Sequence, residues 1–554
     1  MRSEYLFEIS WEVCNKVGGI HTVLESKSFE VAKHFQNYYT IGPFRGKNQR
    51  EFEEDLNPPK EFLQATKHLA SKGILLHFGT WTCGAKPRAI LVEYLGHSAQ
   101  TNSIKAKLWE LYSIDSLGTS WYDVDEVLLW SWCCGLALES IMSFKESSDS
   151  FLIHAHEWMA GGALLCLFPL QKNKENFRTI FTTHATMLGR SLAGNGKSLY
   201  EMKASIDPDQ SAKELGVLTK HQIEKVLAQR SDCFTTVSDF TGEEASIFYG
   251  KAPDLILYNG FSTKELTHSF DEALHLHKEN KEKILAKLST LFTKNQQIHL
   301  DNIKLFYISG RNEFRNKGVD ITIEALAQLN ERLKEKEGDT QVIVLFLIMV
   351  GSYPLSPCVK ENLEKKTTAS KPFQFSLYAP LSTHDIPLDN EIISSLREHS
   401  LLNHVSDKVK VLLTPVILDS EDGFYNMDYY SVISATNLGI FPSYYEPWGY
   451  TPVESLTYAC PTITSDLSGF GKYVEKNIPE SSSISVLERE GKTESESREN
   501  LTQVFEEFLE KNEVEELALQ KESFELSRNF DWSAFYHFYL KAYDKDNTDS
   551  SERT

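Results

Sequence analysis

Short apolar segments alternate with helical segments along most of this chain, and this alternation restricts its fold more than any other feature. Repeated strand-then-helix order is typical of the doubly wound α/β class, in which helices cover both faces of a parallel sheet. Strands are predicted at 5–9, 38–42, 74–78, 90–94, 152–154, 179–183, 233–237 and 255–258, and a second series at 305–309, 342–350, 409–413 and 438–441. Ligands of such sheets bind at the carboxyl ends of the strands.

A chain of 554 residues is too long for one hydrophobic core, so at least two domains are expected. The predicted division is 1–260 for the first Rossmann-like domain, 261–525 for the second, 526–545 for a helix that packs back across the domains, and 546–554 for a disordered tail. Within the second domain, the Ser- and Glu-rich stretch 478–500 is predicted to be a mobile loop.

The charge of the chain argues against several classes of partner. Lysine and arginine total 57 against 78 aspartate and glutamate residues, a net charge of −21. A field of this sign repels nucleic acid and anionic membranes, so an anionic ligand needs a local cluster of cations. We expect no signal peptide, because the N-terminus lacks a basic region followed by an apolar core, and no apolar run approaches the roughly 20 residues that span a bilayer. The eight cysteines form no Cys-x-x-Cys pair. We expect a cytoplasmic protein with neither a zinc site nor disulfides.

The loop after strand 438–441 is crowded with functional groups. Glu446 and Glu454 have seven residues between them, and Gly449 precedes a predicted helix. Thr451 and Glu454 match a capping box with proline at the first helical position, so Glu454 has a structural explanation. Glu446 has no such explanation, and a carboxylate in this setting is costly unless it binds something. Glu446 is therefore the residue that we expect to take part in chemistry.

Two further loops carry cations at predicted strand ends. Lys16, Gly18 and Gly19 lie between a strand and a helix, an arrangement that can cradle a phosphate or a sugar nucleotide. A tight turn with a surface lysine explains them equally well. Arg311 and Lys317 leave the first strand of the second domain together. Two converging cations can stabilise a diphosphate leaving group, and the alternative is a pair of solvated charges.

Other polar residues follow strands of the first domain. His154 and His156 share one face of a strand, but no third metal ligand is near in sequence, so a hydrogen-bonded histidine pair is preferred to a metal site. His184 and Arg190 follow the next strand, where a capping threonine and a surface arginine are the structural alternative. Asn259 indicates a turn first and a ligand contact second.

The segment 441–454, Phe-Pro-Ser-Tyr-Tyr-Glu-Pro-Trp-Gly-Tyr-Thr-Pro-Val-Glu, closely resembles the glutamate-seven-glutamate motif of the animal and fungal type of glycogen synthase. Other blocks of that family have counterparts here in the same order. They are Asn-Lys-Val-Gly-Gly-Ile at 15–20, His-Glu-Trp-Met-Ala-Gly at 156–161, and the stretches 181–190, 310–318 and 437–475. The resemblance covers about residues 5–545.

The resemblance implies a retaining glucosyltransferase of the GT-B architecture, an α/β fold in which two Rossmann-like domains face a cleft. It implies transfer of glucose from UDP-glucose to the non-reducing 4-hydroxyl of glycogen or another α-1,4-glucan, with the N-terminal domain on the acceptor side. No metal or other cofactor is implied. Neither nucleic acid nor membrane is an expected partner, and formation of a homo-oligomer stays open.

The resemblance also implies roles for individual residues. Arg311 and Lys317 would bind the diphosphate and stabilise the departing nucleoside diphosphate. Glu446 would contact the donor glucose near the anomeric centre, and His184 and Arg190 would reach the same sugar and phosphates from the other domain. The other substrate-binding positions are Lys16 at the nucleotide's edge with Gly18 and Gly19, Glu157, Asn259, Tyr429 at the base, Trp448, the amides of Gly449, Tyr450 and Thr451 at the phosphates, and Glu454 at the ribose.

Several alternatives remain at this stage. No second carboxylate is obviously placed as a nucleophile, which favours departure and attack on one face of the sugar, and covalent double displacement is the alternative. One alternative function is an ADP-glucose-dependent glucan synthase, which has the same architecture. Another, which is not an enzyme, is a non-catalytic glucan-binding relative. A glucan phosphorylase would need a pyridoxal phosphate lysine block, which is absent from the sequence.

The chain also departs from the family's pattern. The family carries an N-terminal phosphorylated extension, whereas the core here begins by Tyr5. Residues 511–528 match an arginine-rich helix that binds glucose 6-phosphate, but here they are mostly acidic with a single arginine. We therefore expect no activation by glucose 6-phosphate. Much of a helical pair that helps to build the family's tetramer is missing between Val350 and Phe373.

Overall fold

The computed structural model describes residues 4–544 apart from 48, 172–175, 198–201, 204, 263–268, 293–302, 366–379 and 388. The predicted tail 546–554 and part of the segment between Val350 and Phe373 lie outside these residues. The chain forms two compact units, one of Met1–Ser262 with Asp531–Thr554 and the other of Thr263–Phe530. The sequence predicts boundaries at 260 and 525, and the C-terminal helix Trp532–Tyr543 belongs to the first unit.

The first unit is built on a mixed sheet. Its strands are β1 (Glu4–Ile9), β2 (Asn37–Pro43), β3 (Phe52–Glu54), β4 (Leu75–Trp81), β5 (Arg88–Glu93), β6 (Ser150–His156), β7 (Phe177–Thr183), β8 (Cys233–Thr236) and β9 (Leu255–Ile256). Their order in the described part of the chain is β3-β4-β5-β2-β1-β6-β7-β8-β9. Neighbours are parallel from β5 to β9, whereas β4 runs antiparallel to both β3 and β5. The strand order reverses at β1 and β6, where a doubly wound sheet binds ligands.

Apolar side chains explain why β1 lies in the middle of this sheet. Leu6, Phe7 and Ile9 are fully buried. The Phe7 ring stacks on Tyr39 of β2 and Phe151 of β6, with centroid distances of 5.4 and 6.4 Å. Glu8, in the same strand, is the exception, because it is a fully buried carboxylate opposite His154 of β6.

Helices cover both faces of the first sheet. They are Gly19–His34, Lys60–Ala70, Thr101–Tyr112, Glu126–Ser143, Glu157–Gln171, Met187–Gly194, Pro208–Glu214, Leu218–Arg230, Asp239–Tyr249 and Trp532–Tyr543, with shorter helical turns at Leu95–Gln100 and Trp121–Asp125. Because β6 ends at His156 and a helix begins at Glu157, the strand and the helix are joined without a loop.

The second unit is built on a wholly parallel sheet. Its strands are β10 (Ile303–Arg311), β11 (Gln341–Met349), β12 (Val409–Leu413), β13 (Leu438–Ile440), β14 (Thr462–Ser465) and β15 (Ile484–Leu487). The order β12-β11-β10-β13-β14-β15 is that of a Rossmann fold, with its switch point between β10 and β13. A strand buried on both faces needs a continuous apolar sequence, which explains the run in β11.

The helices of the second unit are Phe270–Leu291, Val319–Glu335, Pro357–Lys365, Glu391–Glu398, Tyr429–Ser434, Tyr450–Thr457, Gly469–Asn477, Glu494–Leu509 and Glu513–Ser527, with a turn of 3-10 helix at Arg528–Phe530. The prediction of a mobile loop at 478–500 is wrong. This stretch contains β15 and the start of helix Glu494–Leu509, which has a complete capping box formed by Thr493 and Glu496. No helix among the described residues combines the length and apolarity needed to cross a bilayer.

Candidate functional site

Three loops at the carboxyl ends of β10, β13 and β14 are tied together by backbone hydrogen bonds. The amides of Tyr444 and Tyr445 donate to the Asn316 carbonyl at 2.9 and 3.3 Å. Glu446 is held on the other side, where its amide donates to the Leu467 carbonyl at 3.2 Å and its carbonyl accepts from the Gly469 amide at 2.9 Å. The backbone of Glu446 is therefore fixed at the switch point of the second sheet.

The Glu446 carboxylate forms an ion pair with the ammonium of Lys317. Both side chains are largely covered, with exposed fractions of 20% for Glu446 and 15% for Lys317. Arg311 lies at the end of β10, is 67% exposed, and has its guanidinium 2.8 Å from the Glu313 carboxylate. The structure thus brings Glu446 and Lys317 into contact and leaves the Arg311 side chain at the surface of the same loop.

The helix Tyr450–Thr457 starts directly beside Glu446 without a side-chain cap. Its N-cap residue is Gly449, at φ +106°, which has no side chain to cap the first amides of the helix. The predicted capping box of Thr451 and Glu454 is wrong, because the helix starts one residue before Thr451. A glycine is needed here because the conformation lies in the region that side-chain-bearing residues avoid. A helix start whose N-cap residue offers no capping side chain suits the binding of an anion.

Glu454 faces the ring of Tyr429 across the same site. The Tyr429 hydroxyl lies 3.2 Å from the Glu454 carboxylate and 2.8 Å from the Ser309 hydroxyl. Burial raises the pKa of Glu454 to about 7, although the Tyr429 hydrogen bond and the charge of Lys317 oppose this rise. Glu454 does not form the predicted capping box, because the helix starts before Thr451. Contacts of Glu454 with ribose and of Tyr429 with a base stay predictions.

Two of the predicted binding residues in this loop have packing neighbours in their own unit. Trp448 is buried, and its ring makes edge contacts with Phe470 and Tyr473 at centroid distances of 6.1 and 6.0 Å. Burial raises the pKa of the Tyr450 hydroxyl, and the nearby Glu454 charge adds to the rise. Any contact of these two residues with a substrate stays a prediction.

In the first unit, the amides at the start of the helix after β1 bind a carboxylate of the same loop. The Glu12 carboxylate accepts hydrogen bonds from the amides of Gly18 at 2.7 Å and His21 at 3.0 Å, at the start of helix Gly19–His34. The Gly18 amide therefore already has an acceptor in this structure, and its contact with a phosphate stays a prediction. Lys16 and Gly19 are exposed beside it, and their contact with a nucleotide stays a prediction.

Glu157 holds the loop that carries His184. It lies at the junction of β6 and the following helix with φ +66°, and its Oε1 accepts from the amides of His184 at 2.9 Å and Ala185 at 3.0 Å. Burial raises the pKa of Glu157 to about 7, and the charge of Arg190 opposes this rise. Asn259 is buried, and its Oδ1 has no hydrogen-bond partner in the described part of the chain.

A buried polar network that the sequence pattern did not predict surrounds the two histidines of β6. The Glu8 carboxylate pairs with the Lys27 ammonium and lies 3.0 Å from His156 Nε2, while His156 Nδ1 lies 2.9 Å from His184 Nε2. The Tyr38 hydroxyl donates to the second Glu8 oxygen at 2.6 Å. The available signal was a glutamate inside an apolar strand, since a buried charge needs a partner.

Glu8, His154 and His156 have ligand atoms within 4.8 Å of one another, a spacing that suits a metal ion. In this structure the Glu8 carboxylate accepts a hydrogen bond from the Lys27 ammonium. The two ring nitrogens of His154 contact the hydroxyls of Tyr543 at 3.1 Å and Thr182 at 2.7 Å. The described side chains thus satisfy one another, which favours hydrogen-bonded histidines over a metal centre.

Solved structures with related folds include two glycosyltransferases. The catalytic domain of starch synthase IV from Arabidopsis thaliana, bound to ADP and acarbose, matches with a TM-score of 0.58 and 17% identity over 99% of both chains. A UDP-forming α,α-trehalose-phosphate synthase from Burkholderia vietnamiensis matches with a TM-score of 0.51 and 10% identity, covering 100% of this chain and 99% of that one. At this identity the similarity shows the fold, which is of the GT-B class.

Sequence comparison is more specific. The family model described as glycogen synthase matches residues 8–367 and 364–548. Glycogen [starch] synthase of Neurospora crassa is 32% identical over 98% of this chain and 83% of its own length, and isoform 2 of Saccharomyces cerevisiae is 32% identical over 98% and 86%. The Caenorhabditis elegans protein is 31% identical over 97% and 87%. The chain therefore belongs to the glycogen synthase family of glycosyltransferases.

Proposed function

We propose that this protein transfers glucose from UDP-glucose to the 4-hydroxyl at the non-reducing end of an α-1,4-glucan such as glycogen, with retention of anomeric configuration. The observation that carries the proposal is the Lys317–Glu446 ion pair beside the uncapped start of helix Tyr450–Thr457. The choice of substrates is supported by the relatives, which are named glycogen [starch] synthases.

The leaving group of this reaction is a nucleoside diphosphate, which departs with extra negative charge. Lys317 and the exposed Arg311 offer positive charge at the end of β10. The first amides of helix Tyr450–Thr457 add the positive end of a helix dipole. Groups fixed before the reaction stabilise developing charge without having to reorganise, which is the largest catalytic effect in many enzymes.

The Glu446 carboxylate suits a position next to the donor sugar. Its ion pair with Lys317 holds it at the same site as the proposed phosphate-binding cation. We propose that the diphosphate leaves and the acceptor hydroxyl attacks on one face of the sugar, with Glu446 holding the glucose. A glucosyl adduct trapped on Glu446 would instead establish double displacement.

Incorporation of labelled glucose into glycogen tests the proposal directly. We expect transfer from UDP-glucose by the wild type, little transfer from ADP-glucose, and a loss on the order of 10²–10³-fold in Glu446→Gln. Lys336→Ala, which alters an exposed lysine of the same unit, is the matched control and should keep wild-type activity. Preference for ADP-glucose would reassign the donor, and transfer from neither donor would leave a glucan-binding protein.

We also propose that the reaction needs no divalent cation, because cationic side chains and backbone amides supply the charge at the phosphates. Full activity in EDTA is expected, and a loss that Mg²⁺ or Mn²⁺ reverses would contradict this. The reaction is proposed to take place in the cytoplasm.

Glucose 6-phosphate is not expected to activate the enzyme. The first turn of helix Glu513–Ser527 carries Glu513, Glu515 and Glu516, and this acidic surface disfavours a sugar phosphate. Rates at fixed UDP-glucose should be the same with and without glucose 6-phosphate. A several-fold activation would show that the sugar phosphate binds despite the acidic charge.

A further inference from the structure

The buried network of the first unit ends at a residue of the candidate site. It runs from Lys27 through Glu8 and His156 to His184, and its first three members are no more than 1% exposed. His184 is 8% exposed at the end of this chain of contacts. Its Nε2 is engaged by His156, whereas its Nδ1 has no hydrogen-bond partner in the described part of the molecule.

The contacts permit one arrangement of protons. Burial raises the pKa of Glu8, but Lys27 and the hydrogen bond from His156 outweigh it and hold this pKa well below its usual range. A carboxylate only accepts hydrogen bonds, so the hydrogen between Glu8 and His156 resides on His156 Nε2. Burial also lowers the pKa of both His156 and His184, so each imidazole is neutral and carries a single hydrogen.

The tautomer of His156 determines that of His184. Because the one hydrogen of His156 is on Nε2, its Nδ1 is an acceptor. The 2.9 Å contact between the two rings then requires a hydrogen on His184 Nε2. The remaining nitrogen, His184 Nδ1, is a bare acceptor. A second hydrogen on this ring would create a cation beside Lys27 and Arg190, both of which disfavour it.

We propose that Glu8 and His156 are positioning residues that hold His184 as a hydrogen-bond acceptor for a hydroxyl of the donor sugar. This inference rests on the proposed glucosyl transfer, because it supplies the hydroxyl. It excludes His184 as a proton donor to the leaving phosphate, since its only hydrogen is committed to His156.

The proposal predicts an inversion of the hydrogen bonds when Glu8 is replaced. In the triple variant Glu8→Leu/Lys27→Met/Tyr38→Phe, apolar side chains of similar shape replace the ion pair and the hydroxyl, a change that proteins often tolerate. His156 Nε2 then has no acceptor, so the hydrogen moves to Nδ1 and is donated to His184 Nε2. His184 Nδ1 becomes a donor. Glu8→Gln keeps an oxygen for Lys27 and His156 and should preserve the original tautomer.

The ¹⁵N spectrum of histidine-labelled protein reads the tautomers without any turnover. The His184 signals are assigned by their loss in His184→Gln. We expect an unprotonated Nδ1 in the wild type and in Glu8→Gln, and a protonated Nδ1 in the folded triple variant. A protonated Nδ1 in the wild type, or a folded triple variant with the wild-type spectrum, overturns the proposal. If the triple variant does not fold, the wild type and Glu8→Gln still decide.

Kinetics with UDP-glucose analogues that each lack one hydroxyl separate positioning from a purely structural effect. In the wild type, loss of the hydroxyl that faces His184 should reduce kcat/KM roughly tenfold. In the triple variant this penalty should shrink, because the hydroxyl must turn to accept from Nδ1 instead of donating to it, while kcat with UDP-glucose falls by on the order of tenfold to a hundredfold. An equal reduction for every donor would assign Glu8 to stability alone and overturn the proposal.

A second buried ion pair of the same unit provides the matched control. Lys105 and Asp125 are 2.7 Å apart with 4% and 13% exposed side chains, and among the described residues their other side-chain hydrogen bonds are to Thr119. Lys105→Met/Asp125→Asn should keep the wild-type tautomer and the wild-type penalty for every donor. Absence of transfer from both UDP-glucose and ADP-glucose would refute the proposed function, while the ¹⁵N arm would still decide whether Glu8 sets the tautomer of His184.

Discussion

The two units begin a helix in the same place, at the carboxyl end of a strand at the switch point of a sheet, and then treat its positive end differently. In the first unit, Glu12 accepts from the amides at the start of helix Gly19–His34. In the second unit, the start of helix Tyr450–Thr457 has no side-chain cap. An internal carboxylate at a helix start stabilises the fold, whereas a glycine N-cap leaves room for a phosphate at the positive end of the helix. The strand-loop-helix pattern with glycine is common to both, so the presence of an internal carboxylate separates them.

The largest expected effect is on kcat, at Lys317 beside the start of helix Tyr450–Thr457. Lys317→Met removes the cation that pairs with Glu446, and kcat should fall by about 10²–10³-fold with little change in thermal stability. The assay is glucose incorporation from saturating UDP-glucose, with Lys336→Ala as control. A loss below about tenfold would show that this helix start and Arg311 suffice without Lys317.

Replacement of a glycine at the start of each helix, the N-cap Gly449 and the first helical residue Gly19, should have unequal effects on stability. Gly449→Ala forces a side chain into φ +106° and places its Cβ 3.3 Å from Glu446 Cγ, so about 1–3 kcal/mol of unfolding free energy should be lost. Gly19→Ala meets no atom within 4 Å and should change this free energy by less than about 0.5 kcal/mol. Thermal unfolding of both variants checks the difference. Equal midpoints would mean that the strain at Gly449 relaxes at no cost.

Removal of the Glu12 carboxylate should leave the amides at the start of helix Gly19–His34 without their acceptor. Glu12→Ala leaves the Gly18 and His21 amides without an acceptor, and the expected loss is about 1–2 kcal/mol. Glu12→Gln keeps an acceptor oxygen and should lose less. Sulfate should raise the midpoint of Glu12→Ala more than that of the wild type, when both are measured against chloride at equal ionic strength. A sulfate response that is equal in both proteins would show that the opened helix start does not bind an anion.

The smallest effect is expected at Thr451. Because its side chain does not cap the helix, Thr451→Ala should change the unfolding free energy by less than about 0.5 kcal/mol. Thr493→Ala, at the complete capping box of helix Glu494–Leu509, should cost about 0.5–2 kcal/mol. Denaturant unfolding of the pair compares the two. A loss at Thr451 as large as that at Thr493 would indicate a cap at Thr451 after all.

Local patterns predicted the strands well and the helix caps poorly. The strands β1, β2, β11 and β12 follow from apolar runs, because burial on both faces leaves few alternatives. The sequences at Thr451 and at Thr493 both fit the capping-box motif, but the prediction names only Thr451. The motif could not decide between them, because the tertiary contacts of Glu446 determine where the helix beside it starts. Composition alone suggested a mobile loop where β15 pairs with β14, because Ser and Glu are common in loops and this pairing is long-range.

In the candidate site, too, the sequence predicts individual residues better than the contacts between them. Glu446 and Lys317 were predicted as functional residues, and the ion pair between them is a contact across 129 residues that the sequence does not specify. Glu8 and Lys27 were missed for the same reason, since the partners of Glu8 lie 19, 30 and 148 residues away in the chain. Charged residues inside apolar strands and helices indicate that partners exist without indicating which.

The helix Trp532–Tyr543 has a consequence for the order in which the protein is made. It contributes Tyr543 to His154, Tyr539 to Lys27 and the Trp532 indole to Ser26, so residues that follow the whole second unit in sequence complete the first unit. About 270 residues of the second unit are translated in between, which takes roughly 15–50 s at the usual rates. Throughout this interval Ser26, Lys27 and His154 lack the contacts that this helix supplies. Translation of the final helix, rather than of the first domain, is therefore the step that completes the N-terminal half of the enzyme.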